Sequence, residues 1–272
     1  MRALIERLRN TLVPSPRTYR GLLRAANGFH DVDVDWTPGA QPVLVLAPHM
    51  DDEVLGCGGT LVLHRRAGAR VTVVFVTDGR WGSGKLHGLD GDALRQAQER
   101  LIATRKGEAA AALTRLDIEA PVFLDAPDGA LAPTPELAGR LRAVIERVAP
   151  QIVYLPSFLE QHPDHRATND VLRAALRGES HDIACHGYEV WTPQYPNCFV
   201  GIDTTLDVKL AALAEYHSQL EDGDFQHGIV GLNAYRAMMR PRPGRRYAEA
   251  FCALPLPDYF RAYDVFRGVG VR

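Results

Sequence analysis

From residue 42 onward, short apolar runs alternate with helix-length segments, and this restricts the fold more than any other feature of the chain. Pro42–Ala47 (PVLVLA) has no polar side chain, and Val71–Thr77 (VTVVFVT) has only threonines. Strands that read as continuous apolar runs are buried on both faces, as in a parallel sheet covered by helices. A helix is predicted between them over Val54–Arg66, ending at Gly68. A glycine-rich loop over 78–92 follows, then a helix over 93–116 and a short strand over 122–124. Thr134 is a suitable N-cap for a helix over 134–148, with Glu136 in its first turn. A strand over 152–155 and a helix over about 165–176 continue the alternation. The pattern predicts an α/β fold with a mostly parallel sheet and helices on both faces. Beyond 183 the sequence suggests strands near 184–191 and 198–202, a helix over 206–220, a Pro/Arg-rich loop (RPRPGRR) and a last strand near 247–253.

The 272 residues are enough to bury a sizeable core without disulfides. A net charge of −2 provides no global field for nucleic acid or an anionic membrane. Cys57, Cys185, Cys198 and Cys252 lie far apart without a CxxC, so they read as reduced thiols of a cytoplasmic chain. There is no apolar run of membrane-spanning length and no secretory core near the N-terminus. The first 24 residues carry Arg2, Arg7, Arg9, Arg17, Arg20 and Arg24 against Glu6. Such an arm reads as a solvated helix, with peripheral membrane or partner contact as the functional alternative. Asp31, Asp33 and Asp35 alternate with Val and Trp, as in an edge strand or linker. The expected organisation is an N-terminal extension over 1–40 and one domain over 41–272. No sequence feature fixes an oligomeric state.

Two motifs stand at predicted strand ends. Pro48-His49-Met50-Asp51-Asp52-Glu53 directly follows the strand ending at Ala47, and His162-Pro163-Asp164-His165 comes shortly after Leu155. Ligands of open α/β sheets bind beyond the carboxyl ends of the strands. So many ionisable groups near a core are costly unless something pairs with them, and a divalent cation would do so. Two imidazoles and one carboxylate can hold a metal with open positions. One of the adjacent aspartates can then bind the metal while its neighbour serves as general base toward a metal-activated water. A histidine of the second motif, when protonated, can stabilise an oxyanion. Each motif alone also reads as a capped helix start.

PHMDDE resembles the (A)HPDDE motif, and HPDH matches the second motif, of the PIG-L/LmbE-like N-acetylglucosaminyl deacetylases. The resemblance runs from about residue 42 to 252. It implies a Rossmann-like three-layer fold and a zinc-dependent hydrolase that removes an N-acetyl group from an amino sugar or glycoconjugate. It also implies that His49, Asp52 and His165 ligate Zn2+ (Fe2+ suits the same donors). Asp51 would be the general base, His162 the cationic partner of the oxyanion or leaving amine, and Asp164 the residue that orients and tunes His162. Met50 stands where the family usually has proline, which frees φ there. Glu160 and Gln161 precede HPDH where some relatives place a tyrosine nearby.

Other residues leave alternatives open. Arg105 lies in the apolar stripe of the 93–116 helix, either paired with Glu108 or reaching the site to bind substrate. Asp78 and Asp128 are candidate substrate-binding residues or turn residues. Ser218 and Gln219 resemble a family helix that packs near the site, and His217 reads as a satisfied core residue. Gly56-Cys57-Gly58-Gly59 invites a dinucleotide reading, but Leu61 stands where GxGxxG needs glycine. These glycines read as close-packing positions, and Cys57 is not counted as a ligand. Two competing readings are a non-haem Fe(II) oxygenase, normally a β-barrel, and a non-catalytic nucleotide- or partner-binding α/β module.

Overall fold

The computed structural model describes residues 34–178 and 181–268. The arginine-rich segment expected to form an N-terminal arm lies outside the described residues. The strands are β1 (Val34–Asp35), β2 (Val43–Ala47), β3 (Val71–Thr77), β4 (Val122–Ala126), β5 (Ile152–Pro156), β6 (Ala184–Tyr188), β7 (Cys198–Gly201) and β8 (Ala248–Pro255). The helices are α1 (Asp52–Arg66), α2 (Gly91–Arg115), α3 (Pro135–Val148), α4 (Pro163–Ala175), α5 (Leu206–Leu213), α6 (His217–Leu220), α7 (Phe225–Met239) and α8 (Leu256–Arg267). All eight strands form one sheet in the order β1-β7-β8-β6-β5-β2-β3-β4. Every pairing is parallel except the two made by β8, with β6 and β7. The result is a Rossmann-like three-layer α/β fold.

The apolar runs are explained by the two faces of the sheet. Val43, Val45 and Ala47 of β2 join a core with Val54 and Leu61 of α1, Ala109 and Leu113 of α2, and Leu213 of α5. The intervening Leu44 and Leu46 join a second core with Leu141 and Ile145 of α3, Val171 and Leu172 of α4, and Tyr259 of α8. Successive side chains of a strand point to opposite faces, so both sets are buried at once. Val34 and Asp35 pair with Cys198 and Phe199, which makes them the edge strand offered by the sequence reading.

The strand order positions the site. The chain runs from β2 outward through β3 to β4, then returns to lay β5 against the other side of β2. Val43, Leu44 and Val45 face Ile152, Val153 and Tyr154 in parallel register. The segments after β2 and β5 therefore leave the sheet side by side at its point of reversal, where α/β folds form their ligand crevice.

α1 is buried along most of its length because it runs between the sheet and α5. It admits close neighbours through two glycines. A Cβ on Gly56 would lie 2.3 Å from the Tyr188 ring, and one on Gly59 would lie 2.8 Å from Ile202. A buried ion pair also enters its backbone ladder. Glu249 accepts from the amides of Gly59 and Thr60, at 2.9 and 2.7 Å. Lys209 Nζ donates to the Leu55 carbonyl (2.9 Å), to Asn233 Oδ1 (3.1 Å) and to Glu249 (2.6 Å). One buried charge pair thereby ties α1, α5, α7 and β8 together just past the first motif.

The C-terminal part departs from expectation. The helix predicted over 206–220 breaks after Leu213 and resumes at His217, so Tyr216 is buried and His217 exposed, not a core residue. The strand predicted over 184–191 ends at Tyr188, because Glu189 turns to form a buried pair with Arg236. α7 and α8 were not anticipated. Among the described residues no helix is long and apolar enough to cross a membrane. Replacing Gly56 by alanine should destabilise the fold by about 1–3 kcal/mol through overpacking against Tyr188. A melting temperature equal to wild type would show that α1 does not need that close approach.

Candidate metal centre and catalytic cleft

The first motif caps α1. Asp51 is the N-cap residue, with φ 140° and ψ −26°, a left-handed conformation that is strained for any residue with a Cβ. The surrounding backbone is clamped. Thr77 donates to the Pro48 carbonyl from its amide (3.0 Å) and its hydroxyl (2.8 Å). Arg105 Nη2 donates to the Met50 carbonyl (2.9 Å), and Nη1 to the Gly79 carbonyl (3.1 Å). The loop is thus held without the proline that Met50 replaces, and the Met50 side chain is buried in the core.

The two motifs meet at Asp52. Its Oδ2 lies 3.3 Å from His49 Nδ1 and 3.3 Å from His165 Nε2. His165 is fully buried, yet neither ring nitrogen has a hydrogen-bond partner. Buried polar atoms left without partners mark sites that something else completes. Ligand atoms at about 2.0–2.1 Å from a tetrahedral zinc stand roughly 3.3–3.4 Å apart, which matches both separations at Asp52. His162 is a third imidazole in reach: ligand atoms of His49, His162 and His165 lie within 4.8 Å of one another. These donors fit a divalent metal.

Carboxylates stand behind His165 and His49. Glu160 is buried, with Oε2 3.6 Å from His165 Nδ1. Its Oε1 accepts from the amides of Val190 (2.7 Å), Trp191 (3.1 Å) and Thr192 (3.2 Å). His49 Nε2 lies 3.1 Å from Asp128 Oδ1 and 3.3 Å from Asp164 Oδ2. Asp128 also accepts from the Trp81 amide (2.9 Å), and Asp164 from the amides of Gly129 (2.7 Å) and Leu131 (3.1 Å). Such partners fix the ring orientation and raise the basicity of a metal-binding histidine.

The charges are strongly coupled. Burial lowers the tendency of His49 to ionise, but hydrogen bonds to Asp128, Asp164 and Asp52 outweigh it and raise its pKa well above the usual histidine value. Burial acts likewise on His165, and the charge of Asp52 raises it to about 9. Burial would raise Asp52, but His165 and His49 hold it far below the usual carboxylate range. For Asp51, burial and the charge of Asp52 prevail over Arg105, His49 and His165 and raise its pKa to about 7.

Several expected roles change. The Asp164 carboxylate serves His49 and the 129–131 backbone, whereas His162 Nδ1 accepts from the Asp164 amide (3.3 Å) as the N-cap of α4. Burial, with His49 and His165 nearby, lowers the pKa of His162. That shift works against the cation expected at His162, and with Nδ1 accepting from the Asp164 amide the ring's proton stands on Nε2. Arg105 does not pair with Glu108, which instead accepts from the Ser218 amide (2.8 Å) and hydroxyl (2.6 Å). Arg105 reaches the cleft, 3.8 Å from Asp51 Oδ1, but its terminal nitrogens serve the Met50 and Gly79 carbonyls. Gly82 makes room for it, since a Cβ there would lie 2.1 Å from Nη1. Asp78 pairs with Arg80 (Nε at 2.8 Å) and accepts from the Asp128 amide (3.4 Å), away from the cleft lining. Asp128 lines the cleft, yet its oxygens are used by His49 and Trp81. Cys57 donates to the Glu53 carbonyl inside α1, apart from the donor set.

The sequence reading gave no role to Glu160, Glu53, Tyr216, Trp81, Trp191 or Phe225. Glu53 accepts from the Asp51 amide (3.2 Å), and Tyr216 donates to Glu53 from below. Gln219 was read with Ser218 as packing near the site, but it lines the cleft and donates to the Gly82 carbonyl (2.9 Å). The cleft, about 180 Å³, opens over Asp51, Asp52, His49 and His162 between Trp81 and Trp191.

Residues 44–176 match the PIG-L family, described as GlcNAc-PI de-N-acetylase. That segment carries a PIG-L family domain. It is 28% identical over 231 residues to the diacetylchitobiose deacetylase of Thermococcus kodakarensis, covering 78% of this chain and 83% of that protein. It is 34% identical over 157 residues to a 1D-myo-inositol 2-acetamido-2-deoxy-alpha-D-glucopyranoside deacetylase of a Mycobacterium species, covering 49% of each. The crystal structure of a conserved protein of Thermus thermophilus superposes with a TM-score of 0.63 at 29% identity, covering 79% of this chain and 96% of that one. The PIG-L match contains both motifs and every residue placed around Asp52.

Replacing Glu160 by glutamine removes the charge behind His165 while keeping an acceptor for the 190–192 amides. Metal affinity should fall about 10–100-fold, read by chelator competition. Unchanged affinity would show that Glu160 serves only the backbone.

Proposed function

We propose that this chain is a metal-dependent amidohydrolase that removes the acetyl group from an N-acetylglucosamine-type amino sugar or its conjugate. The observation that carries this is Asp52 Oδ2 standing 3.3 Å from each of two imidazoles, with Asp51 as its immediate neighbour. His49, Asp52 and His165 would hold the metal, zinc in this reading, with iron(II) compatible with the same donors. When bound, the metal supplies a Lewis acid that polarises the amide carbonyl and makes water acidic enough to attack near neutral pH.

Asp51 acts as the base. Its raised pKa of about 7 suits a group that must take a proton from water and return it to the leaving amine. Its strained backbone and the guanidinium of Arg105 fix where the carboxylate stands. Arg105 is thus a positioning residue that joins the 48–51 and 79–82 segments. His162 offers its Nε2 proton to the carbonyl oxygen as negative charge develops there. Asp128 and Asp164 would keep a proton on Nε2 of His49, so that a metal would displace only the proton that Nδ1 holds toward Asp52. The half-exposed rings of Trp81 and Trp191 at the cleft mouth suit the C–H face of a sugar.

We also read residues 41–272 as one catalytic domain. The four cysteines are buried and unpaired, in keeping with a reducing, cytoplasmic setting. The relatives, named as deacetylases, give no support to a non-catalytic binding module.

Asp51→Asn should retain metal at the wild-type level while kcat for acetate release falls about 10²–10⁴-fold. His165→Ala should lose the metal, by elemental analysis, together with activity. Near-normal turnover by Asp51→Asn would overturn the assignment of the base. Full activity of the wild-type protein after exhaustive chelation would overturn the metal.

A further inference from the structure

We propose that the substrate of this site is an amino sugar carrying a neutral, apolar aglycone, and that a groove between α7 and the segment after β6 receives the aglycone. The proposal rests on the deacetylase reading above and narrows its substrate class.

The groove has a volume of about 410 Å³ and continues from the catalytic cleft, with which it shares Leu55, Trp191 and Phe225. Its remaining apolar wall comes from Val190, Pro193, Ile229 and Leu232. Among the described residues, the only charged side chain lining it is Asp224, whose Oδ1 accepts from the His227 amide at the start of α7. Among those residues, no lysine, arginine or histidine lines it to receive a phosphate or carboxylate, and the one charge present repels an anion.

The walls are built, not incidental. Arg236 of α7 pairs bidentately with Glu189 (2.7 and 2.6 Å) and donates to the Gln194 carbonyl (2.9 Å). This buried pair holds α7 against the segment that carries Val190 and Trp191. The amides of Val190 and Trp191 donate to Glu160, the same carboxylate that faces His165. One carboxylate therefore sets both the metal-site imidazole and the wall of the groove. The Trp191 ring stays half exposed, edge-on to Phe225 with centroids 5.8 Å apart. Large aromatic surface left open beside a polar cleft suits a ligand that is polar at one end and apolar at the other.

The test compares acetate release by the zinc-loaded full chain from N-acetylglucosamine, its phenyl glycosides of both anomers and N-acetylglucosamine 1-phosphate. One phenyl glycoside should exceed the free sugar in kcat/KM by about tenfold or more, and the phosphate should give no gain. Gly228→Leu fills the groove from α7, at a position where a Cβ meets nothing within 4 Å. It should abolish the phenyl preference and leave turnover of the free sugar unchanged, which also shows that the variant folds. Leu232→Lys should do the same and improve the phosphate. Equal kcat/KM for free sugar and phenyl glycosides, a preference for the phosphate, or a phenyl preference that survives both variants would overturn the aglycone site alone. Release of acetate from none of the substrates would overturn the deacetylase reading and this proposal with it.

Discussion

Negative charge is packed into the carboxyl end of β2 and β5 beyond what the local cations balance, and the rest of the site is organised around that excess. Asp51, Asp52, Glu53, Asp128, Glu160 and Asp164 are all buried there, and among the described residues Arg105 is the only guanidinium buried with them. A carboxylate taken out of water without a partner costs several kcal/mol. The site spreads this cost in three ways. Backbone amides take up Glu160, Asp128 and Asp164. A hydrogen bond from Tyr216 reaches Glu53, whose pKa burial raises to about 8. The imidazoles His49 and His165 flank Asp52, which these devices leave as the point where a cation is most strongly favoured.

The parts of this arrangement that were legible in the sequence are those set by strand-scale patterning. VLVLA and VTVVFVT identified buried strands because a strand covered on both faces has no polar side to interrupt it. The motifs could then be placed at strand ends, and Thr134 caps its helix as expected, accepting from the Leu137 amide (3.2 Å). The C-terminal third resisted the same reading. α7 buries Asn233 and Arg236 along with Ile229 and Ala237, and it contains two glycines, so its apolar stripe is interrupted where its ion pairs lie. α8 follows β8 without a connecting loop, and only Pro257 at its start and Gly268 at its end mark it. The break between α5 and α6 falls in a segment, Ala214 to Tyr216, with ordinary helix-forming residues. Tertiary burial of Tyr216 over Glu53 decides it, and no local signal carries that information.

Residue types at the site were legible where partners were not. Arg105 in an apolar stripe required a buried acceptor, and helical spacing offered Glu108. The acceptors turned out to be backbone carbonyls at Met50 and Gly79, which sequence spacing does not bring near. Asp78 and Asp128 were both acidic residues after strands. Asp128 came within reach of His49, whereas Asp78 was engaged by Arg80 two residues away. Glu160 carried a signal, a carboxylate two residues before the second motif. Its importance came from α4 starting at Pro163, which leaves Glu160 in the turn beneath His165.

The geometry at His49 shows how such a site controls a proton without moving anything. A neutral imidazole has one N–H to give, and here two carboxylates, Asp128 and Asp164, compete for it at Nε2. The raised pKa of His49 puts a second proton on Nδ1, facing Asp52, when no cation is there; a metal would take the place of that proton and leave the one on Nε2. Moving the proton to Nδ1 would place the Nε2 lone pair against two negative carboxylates. Asp128 and Asp164 cannot swing away from that conflict. Trp81 fixes the one through its amide, and Gly129 and Leu131 fix the other. The segments 78–82 and 126–131 therefore act on His49 from behind, and the tautomer is set by backbone that never touches the reacting atoms. The same logic holds at His162, where the Asp164 amide occupies Nδ1 and leaves Nε2–H as the donor. Asp164 thus directs both rings, one through its carboxylate and the other through its amide. The aspartate between the two histidines of the second motif thereby orients a ring on each of the two motifs.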